Sequence, residues 1–246
     1  MKFFMSVCVC AGVLLVAGCW LGGTETTSSV RTGEHVVVLH GMGRTENSMR
    51  RVTSVLEEQG YTVLNLGYPS TKKPIPELVR FVDAAVRKHL GGKPATVHFV
   101  THSLGGILVR CYLGGEVPFR RGRVVMLAPP NQGSEVTDEL RSIPPYAWVT
   151  GPAGMVLGTT SNDLPQTLPP VPFELGVIAG DRTWNPLYSW FVVGADDGKV
   201  SVERTKVKGM KDFIVLHASH TWIMWRREVL DQVVAFLADG AFQHDE

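Results

Sequence analysis

A serine at the end of an apolar run has the setting in this chain that most favours catalytic chemistry. Residues 97–102 are rich in apolar and β-branched side chains, Ser103 follows, and two glycines come within three residues of it. The helical pattern of residues 107–113 begins next. A strand, a sharp turn and a helix in this order form a nucleophile elbow, which holds a serine hydroxyl clear of the sheet. The G-x-S-x-G pattern is met in part, because Thr101 takes the place of its first glycine.

Attack by a serine on a carbonyl group creates an oxyanion, which needs two preorganised hydrogen-bond donors. A short apolar run at residues 36–39 ends in the glycine-rich turn of residues 40–43. Such a turn can direct a backbone N–H into the space above a sheet. We therefore expect the donors to be the N–H groups of Met42 and of Leu104, the residue after the serine. Three residues that flank the two turns are expected to line the site and contact substrate: His40, Gly41 and His102.

A general base for the serine is sought among eight histidines. His220 lies in the loop after the apolar run 213–216 and before the helical pattern of residues 222–237. A histidine in this loop can reach a serine at the carboxyl edge of a parallel sheet, where open α/β sheets place their sites. His217 competes with it, but it stands where the strand ends and is expected to be structural.

An acid must orient the base and stabilise the imidazolium ion. Asp196 and Asp197 share one loop, whereas Asp181 directly follows the strand-like run 175–180. We favour Asp197, because the chain turns out of the sheet there and an apolar residue returns to it at Val200. Asp196 would point the opposite way in an extended segment and is expected to be solvated or paired with a cation. Asp181 remains the main alternative.

Apolar and helical patterns alternate along the chain in a way typical of α/β proteins. The alternation predicts a mostly parallel sheet of about six strands with helices on both faces. Strands are expected near residues 35–40, 61–66, 95–101, 123–128, 174–179 and 213–217, and helices near 46–59, 75–90, 104–114 and 222–237. Residues 130–172 interrupt this rhythm and are expected to be a long irregular insertion that forms a cap or lid over the site.

Composition agrees with one such domain. The chain has 246 residues, of which 44% are hydrophobic, enough to bury one core, expected over residues 34–240 with a tail at 241–246. The net charge of +1 argues against nucleic acid as a partner.

The N-terminus reads as a targeting segment. A lysine precedes the apolar run 3–17, and small residues lead to Cys19. Residues 1–18 resemble a bacterial lipoprotein signal peptide, which implies that Cys19 becomes the lipidated first residue. Residues 19–33 would then tether the domain to a membrane of the bacterial cell envelope. Cys111 would be the single cysteine left in the domain, so no disulfide within it is expected.

Taken together, these motifs resemble those of bacterial α/β-hydrolases of the lipase and esterase type. The resemblance covers roughly residues 34–240. It rests on the glycine-rich turn, the elbow, and three further segments at residues 128–134, 197–200 and 219–220. The order Ser, Asp, His along the chain is the one that this superfamily uses.

This resemblance implies hydrolysis of a small-molecule or lipid ester by Ser103, His220 and Asp197 through an acyl-enzyme. It implies no cofactor. No metal is expected either, because the acidic residues of a lipase calcium site are missing after His220. A thioesterase or acyltransferase with the same residues is the alternative among enzymes. The alternative of another class is a catalytically silent hydrolase fold that acts as a binding protein in the envelope.

Overall fold

A computed structural model of the chain describes residues 33–183, 192 and 194–244. The expected signal peptide (residues 1–18), Cys19, and all but the last residue of the tether lie outside the described residues. So do residues 184–191 and 193, and the last two residues of the expected tail. Among the helices of the described part, none is long and apolar enough to cross a membrane.

The core of the fold is a six-stranded sheet in which every strand runs parallel to its neighbours. The strands are β1 (Glu34–Leu39), β2 (Thr62–Leu66), β3 (Thr96–His102), β4 (Arg120–Leu127), β5 (Leu175–Gly180) and β6 (Asp212–Leu216). Their order across the sheet is β2-β1-β3-β4-β5-β6, with parallel register throughout. The predicted fold class is confirmed. The long apolar runs arise because both faces of these strands are covered, as parallel sheets require.

Helices cover the two faces of the sheet. The longer ones are α1 (Arg50–Glu58), α2 (Ile75–Leu90), α3 (Leu104–Leu113) and α8 (Arg227–Asp239), and a short helix, α7 (Val202–Thr205), precedes β6. Alternate residues of β1 show the division: Val37 and Leu39 pack in the cluster that contains α2 and α3, whereas Val36 and Val38 pack in the cluster that contains α1 and α8. One apolar core therefore packs on each face of the sheet, and together they fix the position of its carboxyl edge.

Helix starts differ from expectation at two places. Residues Glu46–Met49 form a 3₁₀-helix before α1, and Ile223–Trp225 form another before α8. Arg226 then has an extended backbone (φ −76°, ψ 131°), so that α8 begins at Arg227 rather than near residue 222. The turn between the last strand and the last helix is therefore longer than the apolar pattern suggests, and it contains His220.

The insertion at residues 130–172 contains three short helices, which occupy about half of it, where an irregular loop was expected. It carries α4 (Glu135–Leu140), α5 (Pro144–Gly154) and α6 (Leu164–Thr167). Prolines in the first turns of α5 and α6 are compatible with helix, because N–H groups there have no intrahelical acceptor. Gly151 interrupts α5 with φ 63° and ψ −173°. Proline and glycine thus delimit short helices here instead of preventing them.

Partly buried polar contacts join the segments of the insertion to one another. The guanidinium of Arg141 lies 2.8 Å from a carboxylate oxygen of Asp163 and 3.1 Å from one of Asp138. Both carboxylates also accept backbone N–H groups, from Thr160 at 2.9 Å and from Thr159 at 3.1 Å. This network holds α4 and the start of α6 in one arrangement.

Candidate active site

Ser103 stands at the apex of the turn between β3 and α3. Its backbone has φ 53° and ψ −120°, a conformation that costs a non-glycine residue on the order of 1–3 kcal/mol. The tight turn explains the glycines that follow it. A Cβ at Gly105 would lie 2.9 Å from the carbonyl oxygen of Leu39, and one at Gly106 would lie 3.0 Å from Cβ of Pro129. Thr101, by contrast, lies inside β3 and is fully buried, so the elbow forms without a glycine there.

Three side chains predicted from the sequence meet at this apex. Nε2 of His220 lies 3.0 Å from Oγ of Ser103, and Nδ1 of His220 lies 2.7 Å from Oδ2 of Asp197. The imidazole thus has a hydroxyl on one side and a carboxylate on the other. This arrangement can remove a proton from the serine and stabilise the resulting imidazolium ion.

The loop around Asp197 fixes the carboxylate. Its second oxygen, Oδ1, accepts the backbone N–H groups of Lys199 at 3.0 Å and Val200 at 2.9 Å. The carbonyl oxygen of Asp197 accepts the N–H of His220 at 2.9 Å. Asp197 and His220 are both buried, so little solvent weakens the interaction between them.

The residues that competed for these roles lie apart from Ser103. Nδ1 of His217 is 3.0 Å from Oδ1 of Asp181, and both side chains are exposed, by 66% and 37%. The two alternatives therefore pair with each other at the surface. Asp196 was expected to be solvated or paired with a cation. It is buried rather than solvated, and its Oδ1 accepts the N–H of Gly198 at 2.7 Å, because this short turn folds its side chain back on its own backbone.

The two expected oxyanion donors occupy suitable backbone positions. Leu104 is the first residue of α3, so its N–H has no acceptor within the helix. Met42 follows β1 in a turn whose next two N–H groups are both engaged: Gly43 donates to Oγ of Ser70 at 3.0 Å and Arg44 to the carbonyl of Gly41 at 3.3 Å. These contacts hold the turn and leave Met42 beside Ser103 on the wall of one pocket.

The three residues expected to contact substrate lie behind the pocket. His40 is fully buried, stacks on Tyr68 with 4.2 Å between ring centroids, and accepts the N–H of Tyr68 at 3.3 Å. His102 is 1% exposed. Its Nε2 lies 3.0 Å from the carbonyl oxygen of His220, to which it donates. A Cβ at Gly41 would lie 2.6 Å from Nδ1 of His102, so this glycine allows close packing. These residues were expected to contact substrate, but all three are buried and pack against the loops of the site.

Burial determines the charge of His102. Burial is the main cause that lowers the pKa of His102 well below its ordinary value, and the neighbouring charges of His220, Arg44 and Lys199 lower it further. A neutral ring can donate one hydrogen bond without adding a second cation beside His220. His102 therefore positions the backbone of the base, a function its place in the sequence does not reveal.

A pocket of about 200 Å³ opens above Ser103. Its walls come from the turn after β1, from the loop around Asp197 and from the insertion. The insertion contributes mainly apolar side chains: Val136, Leu140, Tyr146, Val149 and Leu157. The insertion thus forms one wall of the pocket. Trp148, on the same helix as Val149, is 81% exposed and does not line the pocket.

Two further observations concern metal ligands and the cysteine of the domain. The part of the chain that the structure describes contains no group of three potential metal ligands. Cys111 lies on α3 among apolar neighbours, and burial raises the pKa of its thiol, so it is suited to packing rather than to nucleophilic attack.

A sequence model of the alpha/beta hydrolase family matches residues 36–236, which begin within β1 and end within α8. The chain belongs to the alpha/beta hydrolase family. Membership explains the all-parallel sheet of this alpha/beta hydrolase, in which Ser103, Asp197 and His220 follow β3, β5 and β6. No curated protein matches the chain significantly.

Solved structures share the fold at low sequence identity. A lipase of Bacillus licheniformis, BlEst2 in its mature form, has a TM-score of 0.58 and 18% identity over 77% of this chain and 85% of its own. The phospholipase PlaB of Legionella pneumophila has a TM-score of 0.55 and 21% identity over 70% of this chain, but only 45% of its own. The type II thioesterase BorB of the borrelidin biosynthetic cluster has a TM-score of 0.53 and 15% identity over 87% and 94% of the two chains. These likenesses establish the fold.

Two cationic residues at the pocket were not singled out in the sequence. Lys199 lines the pocket together with Ser103 and His220, and Arg44 follows the glycine-rich turn. Their one sequence signal is adjacency, since each comes within two residues of an expected site residue. The remaining predicted residue, Cys19, lies outside the described residues.

Proposed function

We propose that this alpha/beta hydrolase cleaves carboxylic esters through an acyl-enzyme formed on Ser103. The observation that carries the proposal is the unbroken hydrogen-bond chain from Asp197 through His220 to Ser103, at 2.7 and 3.0 Å. A silent binding protein has no need to keep Ser103 in a strained backbone conformation with a buried base directed at it.

In the proposed reaction, Oγ of Ser103 attacks the ester carbonyl while Nε2 of His220 takes its proton. The carbonyl π electrons move to oxygen, and the N–H groups of Met42 and Leu104 stabilise the negative charge. Collapse of this intermediate breaks the bond to the alcohol oxygen, which receives the proton from His220. Water then repeats the cycle on the acyl-enzyme and releases the carboxylic acid.

The acyl pocket predicts a preference for short chains. At about 200 Å³ it is smaller than the roughly 300–1,000 Å³ typical of small-molecule sites. We expect kcat/KM on a series of p-nitrophenyl esters to be highest for short acyl groups. Leu140→Ala should enlarge the pocket at its apolar wall and shift the preferred acyl length to longer chains.

Ile143→Ala is the matched control for this series, because Ile143 is 45% exposed and is not part of the pocket wall. A uniform change over all chain lengths in Leu140→Ala would contradict the assignment of this wall to the acyl group. A parallel series of thioesters tests the reaction class. Faster turnover of thioesters than of oxygen esters of equal reactivity would favour a thioesterase.

We further propose that lipid on Cys19 holds the domain at a membrane of the bacterial cell envelope. The sequence of residues 1–19 supports this. One acyl chain binds a membrane only marginally, and the several chains of a lipoprotein would anchor it stably. Cys19→Ser should abolish incorporation of labelled palmitate and partition into detergent, whereas Cys10→Ser should leave both unchanged. A mature protein that is soluble and begins well beyond Cys19 would overturn the proposal.

A further inference from the structure

The pocket of this hydrolase combines an apolar wall with a cationic one. The apolar wall comes from the insertion, whereas Lys199 lies on the pocket with Ser103 and His220. Arg44 is close enough that its charge lowers the pKa of Lys199, after the larger effect of lost hydration, while Asp197 raises it. Lys199 therefore lies on the pocket wall, and Arg44 lies near it, where its side chain reaches the loop of His220 at the carbonyl of Thr221.

Within the described residues, neither cation forms an ion pair with an acid. Among residues 33–183, 192 and 194–244, the ion pairs and hydrogen bonds do not include Nζ of Lys199. Asp197 is close to Lys199, but its two oxygens are occupied by His220 and by the backbone N–H groups of Lys199 and Val200. The carboxylate therefore has little capacity left for the ammonium group.

The guanidinium group of Arg44 likewise uses few of its hydrogen-bond donors within the described residues. One of its terminal nitrogens, Nη2, donates to the carbonyl of Thr221 at 3.2 Å, which joins the turn after β1 to the loop of His220. A guanidinium group carries five N–H donors, so most of its capacity remains for another acceptor. Burial lowers the pKa of Arg44, and it nonetheless stays charged at neutral pH.

Lys199 is exposed to solvent at the pocket and Arg44 is half-buried, so an anionic group of a ligand can reach both cations and supply the counter-charge that no described carboxylate provides. The apolar wall suits an acyl chain, which leaves the cationic residues for the alcohol part of a bound ester. We propose that the substrate is an ester whose alcohol part carries a phosphate or carboxylate, which binds Lys199 and Arg44. This rests on the proposed function, and it adds the class of alcohol that the site accepts.

The test compares esters that share one acyl group. Wild-type kcat/KM is measured by pH-stat for 1-butyrylglycerol 3-phosphate and for neutral 1-butyrylglycerol, and likewise for O-butyryl-lactate and its methyl ester. We expect at least one anionic ester to be preferred on the order of tenfold or more, which is the effect of one charge-assisted contact. The preference should decline as sodium chloride is raised, because salt screens such contacts at an open site.

Variants then assign the preference to the two cations. Lys199→Met and Arg44→Gln should each reduce the ratio of anionic to neutral kcat/KM towards one, whereas Lys199→Arg should retain most of it. Lys93→Met is the matched control, because Lys93 is an exposed lysine in the loop before β3, at the opposite edge of the sheet. A ratio, rather than a rate, also separates loss of the charge from a general disturbance of the Asp197 loop.

Lipid and soluble sources of the charged group are distinguished by chain length. Turnover of 1-palmitoylglycerol 3-phosphate at a rate comparable to the butyryl ester would indicate a lipid, and its absence a soluble ester. The proposal is overturned if wild-type protein hydrolyses neutral esters with no preference for either anionic partner, or if both cation variants keep the full ratio. Failure of the folded protein to hydrolyse any of these esters would instead refute the proposed function.

Discussion

Ser103→Ala is expected to lower kcat/KM for ester hydrolysis by about 10⁴-fold or more while the protein stays folded. The substitution removes a single hydroxyl, the atom that His220 contacts at 3.0 Å. Alanine meets the same backbone requirement as serine at φ 53°, so the elbow keeps its strain and its shape. The residues of such a site act as a unit, and loss of the nucleophile cancels the contributions of the base and the acid.

Ser134→Ala is the matched control for this prediction. Ser134 lines the same pocket, and its hydroxyl donates to the carbonyl of Lys199 at 2.8 Å, but His220 does not contact it. We expect less than about tenfold loss from this change, the usual effect of one hydrogen bond. Equal kinetics for wild type and Ser103→Ala, with matching thermal unfolding, would show that the nucleophile is elsewhere.

Asp197→Asn is expected to lower kcat by about 10⁴-fold, as the same exchange does in serine triads. Oδ1 can still accept the N–H groups of Lys199 and Val200, so the amide nitrogen is placed against Nδ1 of His220. Two donors cannot face each other, and the imidazole must move its proton to Nε2. In that tautomer His220 cannot accept the proton of Ser103.

Asp181→Asn provides the comparison, because it makes the same change in the histidine–aspartate pair that competed for the catalytic role. That pair is exposed and joins Asp181 to His217 at 3.0 Å, away from Ser103. Turnover of Asp181→Asn should stay within a few-fold of wild type, and His217→Ala should behave likewise, whereas His220→Ala should be nearly inactive. Collapse of Asp181→Asn together with near-normal turnover of Asp197→Asn would reassign the acid.

The sheet and the three central side chains were accessible from sequence for a physical reason. Strands buried on both faces read as continuous apolar runs, and reactive residues of such sheets follow the strands at their carboxyl ends. Ser103, Asp197 and His220 all obey this rule. The ends of the strands were predicted less exactly. β4 begins at Arg120, whereas its start was expected near residue 123. Its first residues are polar and lie at the edge of the core, so the apolar pattern does not include them.

The remaining features depend on contacts that leave no periodic signal. His102 is adjacent to Ser103 in sequence, yet its side chain is buried in the protein, and adjacency in sequence does not reveal this. The helices of the insertion are short and delimited by proline and glycine, residues that usually indicate loops. The cationic wall depends on two loops that are joined by one hydrogen bond from Arg44 to Thr221.

The most direct test of the account is the attachment of a fluorophosphonate to the intact protein, followed by mass spectrometry of its peptides. The reagent phosphonylates a serine only when a base and oxyanion donors activate it. We expect a single adduct on the peptide that contains Ser103, no adduct in Ser103→Ala, and strongly slowed labelling in His220→Ala. A folded wild-type protein that gains no adduct, or that is modified at a residue other than Ser103, would contradict the account.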